Sequence, residues 1–245
     1  MKKIYDLNQI LKPIFKNKYN IECEIIANNE IEKWRWDTLL TKEPETIEWI
    51  RNMDKSSKLL DIGANIGIYS FTAVVKGIDS VIAIEPYQKN YLSLCRNIEK
   101  NNLENIYPLN FAIGKASKLL NFKHKPTNIG KKSKISQNSN YCIAGLAEFE
   151  QTEFKNIDNS TVVMLDIDKI ESFPFNEITH LKIDVDGPEC DVINSCKSIL
   201  LSKSIKSILI EVTIGKTDIS INDKLLSMGF VKDKYYDHLE IHSKY

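Results

Sequence analysis

The stretch Leu60-Asp61-Ile62-Gly63-Ala64-Asn65-Ile66-Gly67 closes a short apolar run that begins at Lys58, and it passes straight into an apolar segment from Ile66 to Val75. A strand that ends on glycine and turns directly into a helix is the first half of a βαβ unit. The pattern repeats outward from this point. Val81 to Ile84 precedes a helix from Gln88 to Asn101, Ile106 to Ile113 reads as a strand, Thr179 to Val185 precedes a helix reaching about Leu201, and Ser207 to Val212 precedes Ile219 to Met228. Short apolar strands alternating with helices predict an α/β fold, a Rossmann-like, doubly wound and mostly parallel sheet covered on both faces. The tail from Phe230 to His242 has strand character with polar interruptions and reads as an antiparallel edge pair. Upstream, Glu43-Pro44-Glu45-Thr46 opens a helix with proline in its first turn and acids at its positive end. Before residue 40 the pattern is weak, with one short helix around Ile10 to Phe15 and a strand around Cys23 to Ile26.

In an open α/β sheet the ligand sits beyond the carboxyl ends of the strands, where a glycine turn lets the backbone approach and the next helix offers free N–H groups. Gly63 and Gly67 suit those roles, and Asn65 is one of the few other residues that tolerates a left-handed backbone. The dinucleotide fingerprint G-x-G-x-x-G is absent; Gly63-x-x-x-Gly67 has a different spacing and an acid before it. Asp61 would repel a pyrophosphate and attract the sulfonium and amino group of S-adenosylmethionine. Glu85, in Ile84-Glu85-Pro86 one βα unit later, can accept hydrogen bonds from ribose hydroxyls. Asp61, Gly63, Ala64, Asn65, Gly67, Glu85, Pro86 and Asp184 form the expected cofactor set.

The 245 residues carry 33 Lys plus Arg against 33 Asp plus Glu, which argues against a protein that coats polyanions through a large basic excess. The balance hides an asymmetry. Between Glu104 and Glu148 there is no Asp, Glu or Arg, but seven lysines: Lys115, Lys118, Lys123, Lys125, Lys131, Lys132 and Lys134. A solvated loop and a phosphate-binding patch both fit this composition. Five cysteines without a C-x-x-C pair fit neither a disulfide framework nor a zinc finger. With no long apolar run and an N-terminus interrupted by Asp6, Asn8 and Pro13, the expectation is a cytoplasmic protein.

Four motifs in order, Lys42-Glu43-Pro44-Glu45-Thr46, Asp61 to Gly67, Glu85-Pro86 and Lys182-Ile183-Asp184-Val185-Asp186-Gly187-Pro188-Glu189, resemble those of FkbM-type S-adenosylmethionine-dependent methyltransferases. The resemblance covers roughly residues 40 to 213. It implies a class I methyltransferase fold, a seven-stranded sheet with one antiparallel strand, and O-methylation of a sugar or polyketide hydroxyl. Where the family often has Glu in the middle of the last motif, this chain has Asp186, one methylene shorter. Residues 1–40 are then an N-terminal extension packing on the core, and 41–245 the methyltransferase domain.

An alcohol is a poor nucleophile while it keeps its proton, so methyl transfer to oxygen calls for a base or a metal. Strand alternation puts His180, Lys182, Asp184 and Asp186 on one side. His180 lies ~13 Å before Asp184 along the strand and reads as structural. Asp184 is the first choice for an acceptor-facing base, with Asp186 and Glu189 behind it and Glu211 completing an acidic cluster on the acceptor side. Lys182 reads as the cation of a buried salt bridge. Oxygen ligands from Asp184 and Asp186 suit Mg²⁺ or Ca²⁺, though no spacing fixes a geometry for a divalent metal. His124, His238 and His242 are alternative bases that read as ordinary surface. Lys123 and Lys125 are the acceptor-binding candidates. The expected partner is a small-molecule or glycan acceptor, anionic if the lysines serve it; nucleic acid is not expected, and the oligomeric state is open. The competing readings are a methyltransferase of a lipid or small metabolite, a nicotinamide dehydrogenase, and a non-catalytic binding module.

Overall fold

The computed structural model describes residues 2–15, 22–122, 160–170, 175–185, 188–212, 218–236 and 238–244. The central sheet is assembled from β3 (Lys58–Ile62), β4 (Ser80–Ile84), β5 (Ile106–Leu109), β9 (His180–Ile183), β10 (Ser207–Glu211), β11 (Val231–Tyr236) and β12 (Leu239–Ser243). Their spatial order is β11-β12-β10-β9-β3-β4-β5. Pairing from β10 through β5 is parallel, and β12 runs antiparallel to both its neighbours. Seven strands with one reversed strand match the class I methyltransferase arrangement. The tail forms the antiparallel pair at the sheet edge that the sequence suggests: β11 is the border strand, and β12 lies between it and β10. His242 is therefore interior, 1 % exposed with its Nε2 2.9 Å from Glu240 Oε2, and not a surface histidine.

Two further sequence readings are corrected. Ile106 to Ile113 is two strands, because Asn110 donates its Nδ2 to the carbonyls of Glu85 (2.8 Å) and Pro86 (3.1 Å) and turns the chain. Beyond that turn, β6 (Ala112–Ile113) joins β7 (Lys118–Phe122) and β8 (Ser160–Leu165) in a separate small sheet of order β6-β8-β7. The helix after β9 is likewise two helices, α6 (Glu189–Asn194) and α7 (Lys197–Leu201), the second started by Asp168 accepting the backbone N–H groups of Lys197 and Ser198.

Each face of the central sheet buries its own cluster. On one side Leu60, Ile62, Ile82, Ile84, Leu181, Ile183, Ile208 and Ile210 pack under α6, α7 and α8 (Asp218–Ser227). On the other, Leu59, Val81, Ala83, Leu209 and Ile241 pack under α3 (Pro44–Arg51), α4 (Ile68–Lys76) and α5 (Gln88–Lys100). The first 40 residues enter this second cluster. They form β1 (Lys3–Asp6), α1 (Leu7–Leu11), β2 (Glu24–Ala27) and α2 (Glu30–Asp37). Leu7, Leu11, Ile25 and Trp36 are 2 % exposed or less, and the Trp36 ring lies 6.1 Å from that of Phe71 on α4. Buried Asn97 on α5 accepts the Ile26 N–H at 2.8 Å and returns its own Nδ2 to the Ile26 carbonyl, supplying β2 with partners that a lone edge strand lacks. Cys23, Cys95, Cys190 and Cys196 are all free thiols. No helix among the described residues is long and apolar enough to cross a membrane.

Candidate functional site

The loop after β3 turns through three left-handed residues, Gly63 (φ 79°), Asn65 (φ 54°) and Gly67 (φ 87°). Glycine is required at 63 for a second reason. A Cβ there would stand 1.8 Å from the backbone oxygen of Asp184, so the loop and the end of β9 can touch only without a side chain. The Gly63 and Ala64 N–H groups bond the Ile84 carbonyl at 2.9 and 3.0 Å, anchoring the loop on β4. At the end of β4 the buried Glu85 carboxylate accepts the Asn65 N–H at 2.8 Å on one oxygen and the Tyr87 N–H at 2.7 Å on the other. Burial pushes this carboxyl up to about 7, against the pull of those two backbone donors. A carboxylate has about four lone-pair sites, so acceptor capacity remains.

Beneath the loop lies a charge cluster set by strand register. Asp61 and Lys182 are paired across β3 and β9, and both are 1 % exposed or less. The Lys182 ammonium donates to Asp184 Oδ2 at 2.8 Å, stands 3.8 Å from Asp61 Oδ1, and lies 5.0 Å over the Tyr69 ring. Burial alone would depress Lys182, but Asp184, Asp61 and Glu43 outweigh it and hold the ammonium charged. Burial would raise Asp184, yet Lys182 and a hydrogen bond with the Glu211 side chain keep it well below the ordinary carboxylate range. Burial is the largest influence on Asp61 and raises it; its Oδ2 accepts the Ser70 hydroxyl at 2.6 Å. Asp61 thus faces Lys182 and Ser70, below the loop. Its negative charge is compensated internally, and the electrostatic preference for a sulfonium that the sequence assigns to Asp61 belongs to the whole cluster. Lys182 is the buried salt-bridge cation that its position in the strand suggests.

The cleft above this cluster is lined by Gly63, Ala64 and Asn65 of the loop, by Tyr69, Lys182 and Asp184, and by Arg35, Thr38 and Lys42. The last three, with Tyr69, are missed by sequence reasoning. The Lys42-Glu43 motif hints at them: buried Glu43 pairs with Lys42 and accepts the Tyr69 hydroxyl at 2.7 Å. Burial, then Glu43, raises the Tyr69 phenol well above its usual range, which fixes it as a donor.

The remaining expected residues are dispersed. Pro86 holds the strand end through the Asn110 amide. Gly67 precedes α4 and packs against Phe71 and Leu94, away from the cleft lining. Glu189 is 1 % exposed in the first turn of α6 and does not line the cleft. Glu211 joins Asp184 at the carboxyl end of β10, as the sequence places it, and His238 Nε2 stands 3.8 Å from Glu211 Oε1. His180 is buried at the far end of β9, its ring 5.8 Å from that of Trp49 and its pKa lowered by burial to about 4. That is the structural role read for it. Lys123, Lys125, His124 and Asp186 lie outside the described residues. Among the described residues no group of His, Cys, Asp and Glu has the geometry of a metal site.

A model of the methyltransferase FkbM domain matches residues 61–237. The chain belongs to the FkbM methyltransferase family. The methyltransferase FkbM from Methylobacillus flagellatus superposes over 78 % of this chain with a TM-score of 0.51 at 17 % identity, and the match takes in 44 % of that protein, so this chain spans less than half of its length. Looser likenesses include the ribosomal protein L11 methylase of Lactobacillus delbrueckii subsp. bulgaricus (13 % identity, 90 % of this chain and 82 % of that one, TM-score 0.48). Another is the precorrin-6y C5,15-methyltransferase of Geobacter metallireducens (12 % identity, 89 % and 94 %, TM-score 0.47). At 17 % identity the likeness to the Methylobacillus protein is one of fold. No curated protein sequence matches the chain.

Proposed function

We propose that this FkbM-family chain is an S-adenosylmethionine-dependent O-methyltransferase acting on a sugar hydroxyl, of a nucleotide-linked sugar or a surface-polysaccharide precursor in the cytoplasm. The observation that carries the cofactor half of this reading is Glu85: a buried carboxylate at the end of β4, tied to Asn65 of the glycine loop and still able to accept hydroxyl donors. Gly63, Ala64 and Asn65 leave the loop backbone bare at the cleft, and Asp184 borders it from β9. These residues fit a ribose on one side and a cationic amino-acid end on the other. The cofactor supplies a methyl group already activated by its sulfonium.

The acceptor side follows from the acid pair. Two carboxyl groups in hydrogen-bond contact share one proton, and Asp184, held ionised by Lys182, is a strong hydrogen-bond acceptor but a weak base. In this reading Asp184 orients the acceptor hydroxyl and does not take its proton. His238, beside Glu211 and half-exposed, is the group that removes the proton to solvent. The lysine-rich composition between Glu104 and Glu148 supports an anionic acceptor, with Lys123 and Lys125 as point charges for phosphate. A methyl-transfer screen against nucleotide-linked sugars, with product mass measured, tests the assignment: a product gaining one methyl group supports it. Transfer confined to lipids or small metabolites would move the acceptor class, and binding of NADH in place of S-adenosylhomocysteine would remove the cofactor.

A further inference from the structure

Arg35 comes from the last turn of α2, in the part of the chain that precedes the family match. The residue is 9 % exposed and borders the cleft with Gly63, Ala64 and Asn65. The Nε is fully enclosed and has no hydrogen-bond partner. Among the described residues, no carboxylate lies in ion-pair reach of the guanidinium. The acids nearby have partners of their own: Glu43 pairs with Lys42 and Tyr69, Asp184 with Lys182, and Glu85 accepts two backbone N–H groups and feels the Arg35 charge without pairing with it. A cation at a helix C-terminus gains at most about 2 kcal/mol from the helix dipole, whereas burying an unpaired charge costs several. The guanidinium is a planar fork of donors whose Nε is shut off from water without an acceptor, and a carboxylate that arrives with a ligand matches that fork.

We propose that Arg35 clamps the carboxylate at the amino-acid end of the S-adenosyl cofactor. The inference rests on the cofactor reading above and adds a residue that lies outside the span of the family match. The ligand is the cofactor and not the acceptor because Arg35 faces the β3 loop, while the acceptor groups Glu211 and His238 stand at the end of β10 and the turn before β12. The cleft then presents opposite charges to the two ends of one amino acid. Arg35 takes the carboxylate, and the net negative charge of the cluster of Asp184, Asp61 and Glu43 around Lys182 supplies the field for the ammonium and sulfonium.

The test is calorimetry with two probes, S-adenosylmethionine and its decarboxylated form, which keeps the sulfonium and the amine. The wild-type protein should bind the first more tightly than the second. Arg35→Gln should weaken S-adenosylmethionine by more than about tenfold and change decarboxylated binding by less than about twofold; Arg35→Lys, which keeps the charge without the fork, should fall between. Equal losses for both probes, or no loss for either, overturn the clamp. If wild-type protein binds neither probe, the cofactor reading itself fails and the clamp with it. A melting curve of each variant without ligand separates lost binding from lost folding.

Discussion

Lys182 and Arg35 are buried cations on the walls of one cleft, the first from the middle of the sheet and the second from a helix packed over it. Lys182 is surrounded by Asp61, Asp184 and Glu43, while the Arg35 guanidinium has no ion-pair partner among the described residues. A buried charge whose counter-charge is encoded in the same chain is part of the fold; one without a counter-charge is half of an interaction that a ligand completes.

That contrast sets the size of the expected effects. Lys182→Met should be the most damaging substitution, costing about 3–5 kcal/mol in urea unfolding because it strands Asp61 and Asp184, and adding Asp61→Asn should restore part of the loss. His238→Ala tests the exposed counterpart of these interior charges. Given an active acceptor, it should lower kcat by about 10²-fold with the cofactor Kd unchanged.

Glu85 sharpens the comparison from the acid side, since it has backbone donors but no ion-paired cation. Its carboxyl is pushed up to about 7 in the folded protein from an ordinary 4.5, so its contribution to stability is full below 4.5 and lost as pH rises through 7. Hydroxyl donors favour the ionised form. Binding S-adenosylhomocysteine at pH 6.5 should therefore release protons, seen as a dependence of the binding heat on buffer ionisation enthalpy, and Glu85→Gln should abolish that dependence. Arg35→Met, in contrast to Lys182→Met, should leave stability without ligand unchanged within about 1 kcal/mol or raise it, as a melting curve would show. The smallest effect concerns His180, a buried base that stays neutral. Its pKa of about 4, below the ordinary 6.5, gives a contribution present above 6.5 and lost as pH falls through 4. Because this opposes Glu85 over the same window, the check is the imidazole NMR titration and not the melting curve.

The parts legible in the sequence are those set by local constraints. Strand β3, its glycine turn, Glu85 at the end of β4 and Asp184 after β9 follow from short-range periodicity and from backbone angles few residues tolerate. The parts that were not legible depend on contacts between distant segments. Arg35 has no signature in its own stretch, because its meaning comes from the absence of a partner after α2 packs over the loop. The pairing of Asp61 with Lys182 needs the register of β3 against β9, 121 residues apart. The insertion of β12, which buries His242, and the small sheet, one of whose strands has two residues, are likewise decided by pairing and not by local pattern.

The central claim is that this cleft is built for an S-adenosyl cofactor, and titration of S-adenosylhomocysteine into the wild-type protein tests it most directly. Saturable one-to-one binding, with no heat from NADH under the same conditions, is the predicted result. Binding of NADH with no response to S-adenosylhomocysteine would contradict it.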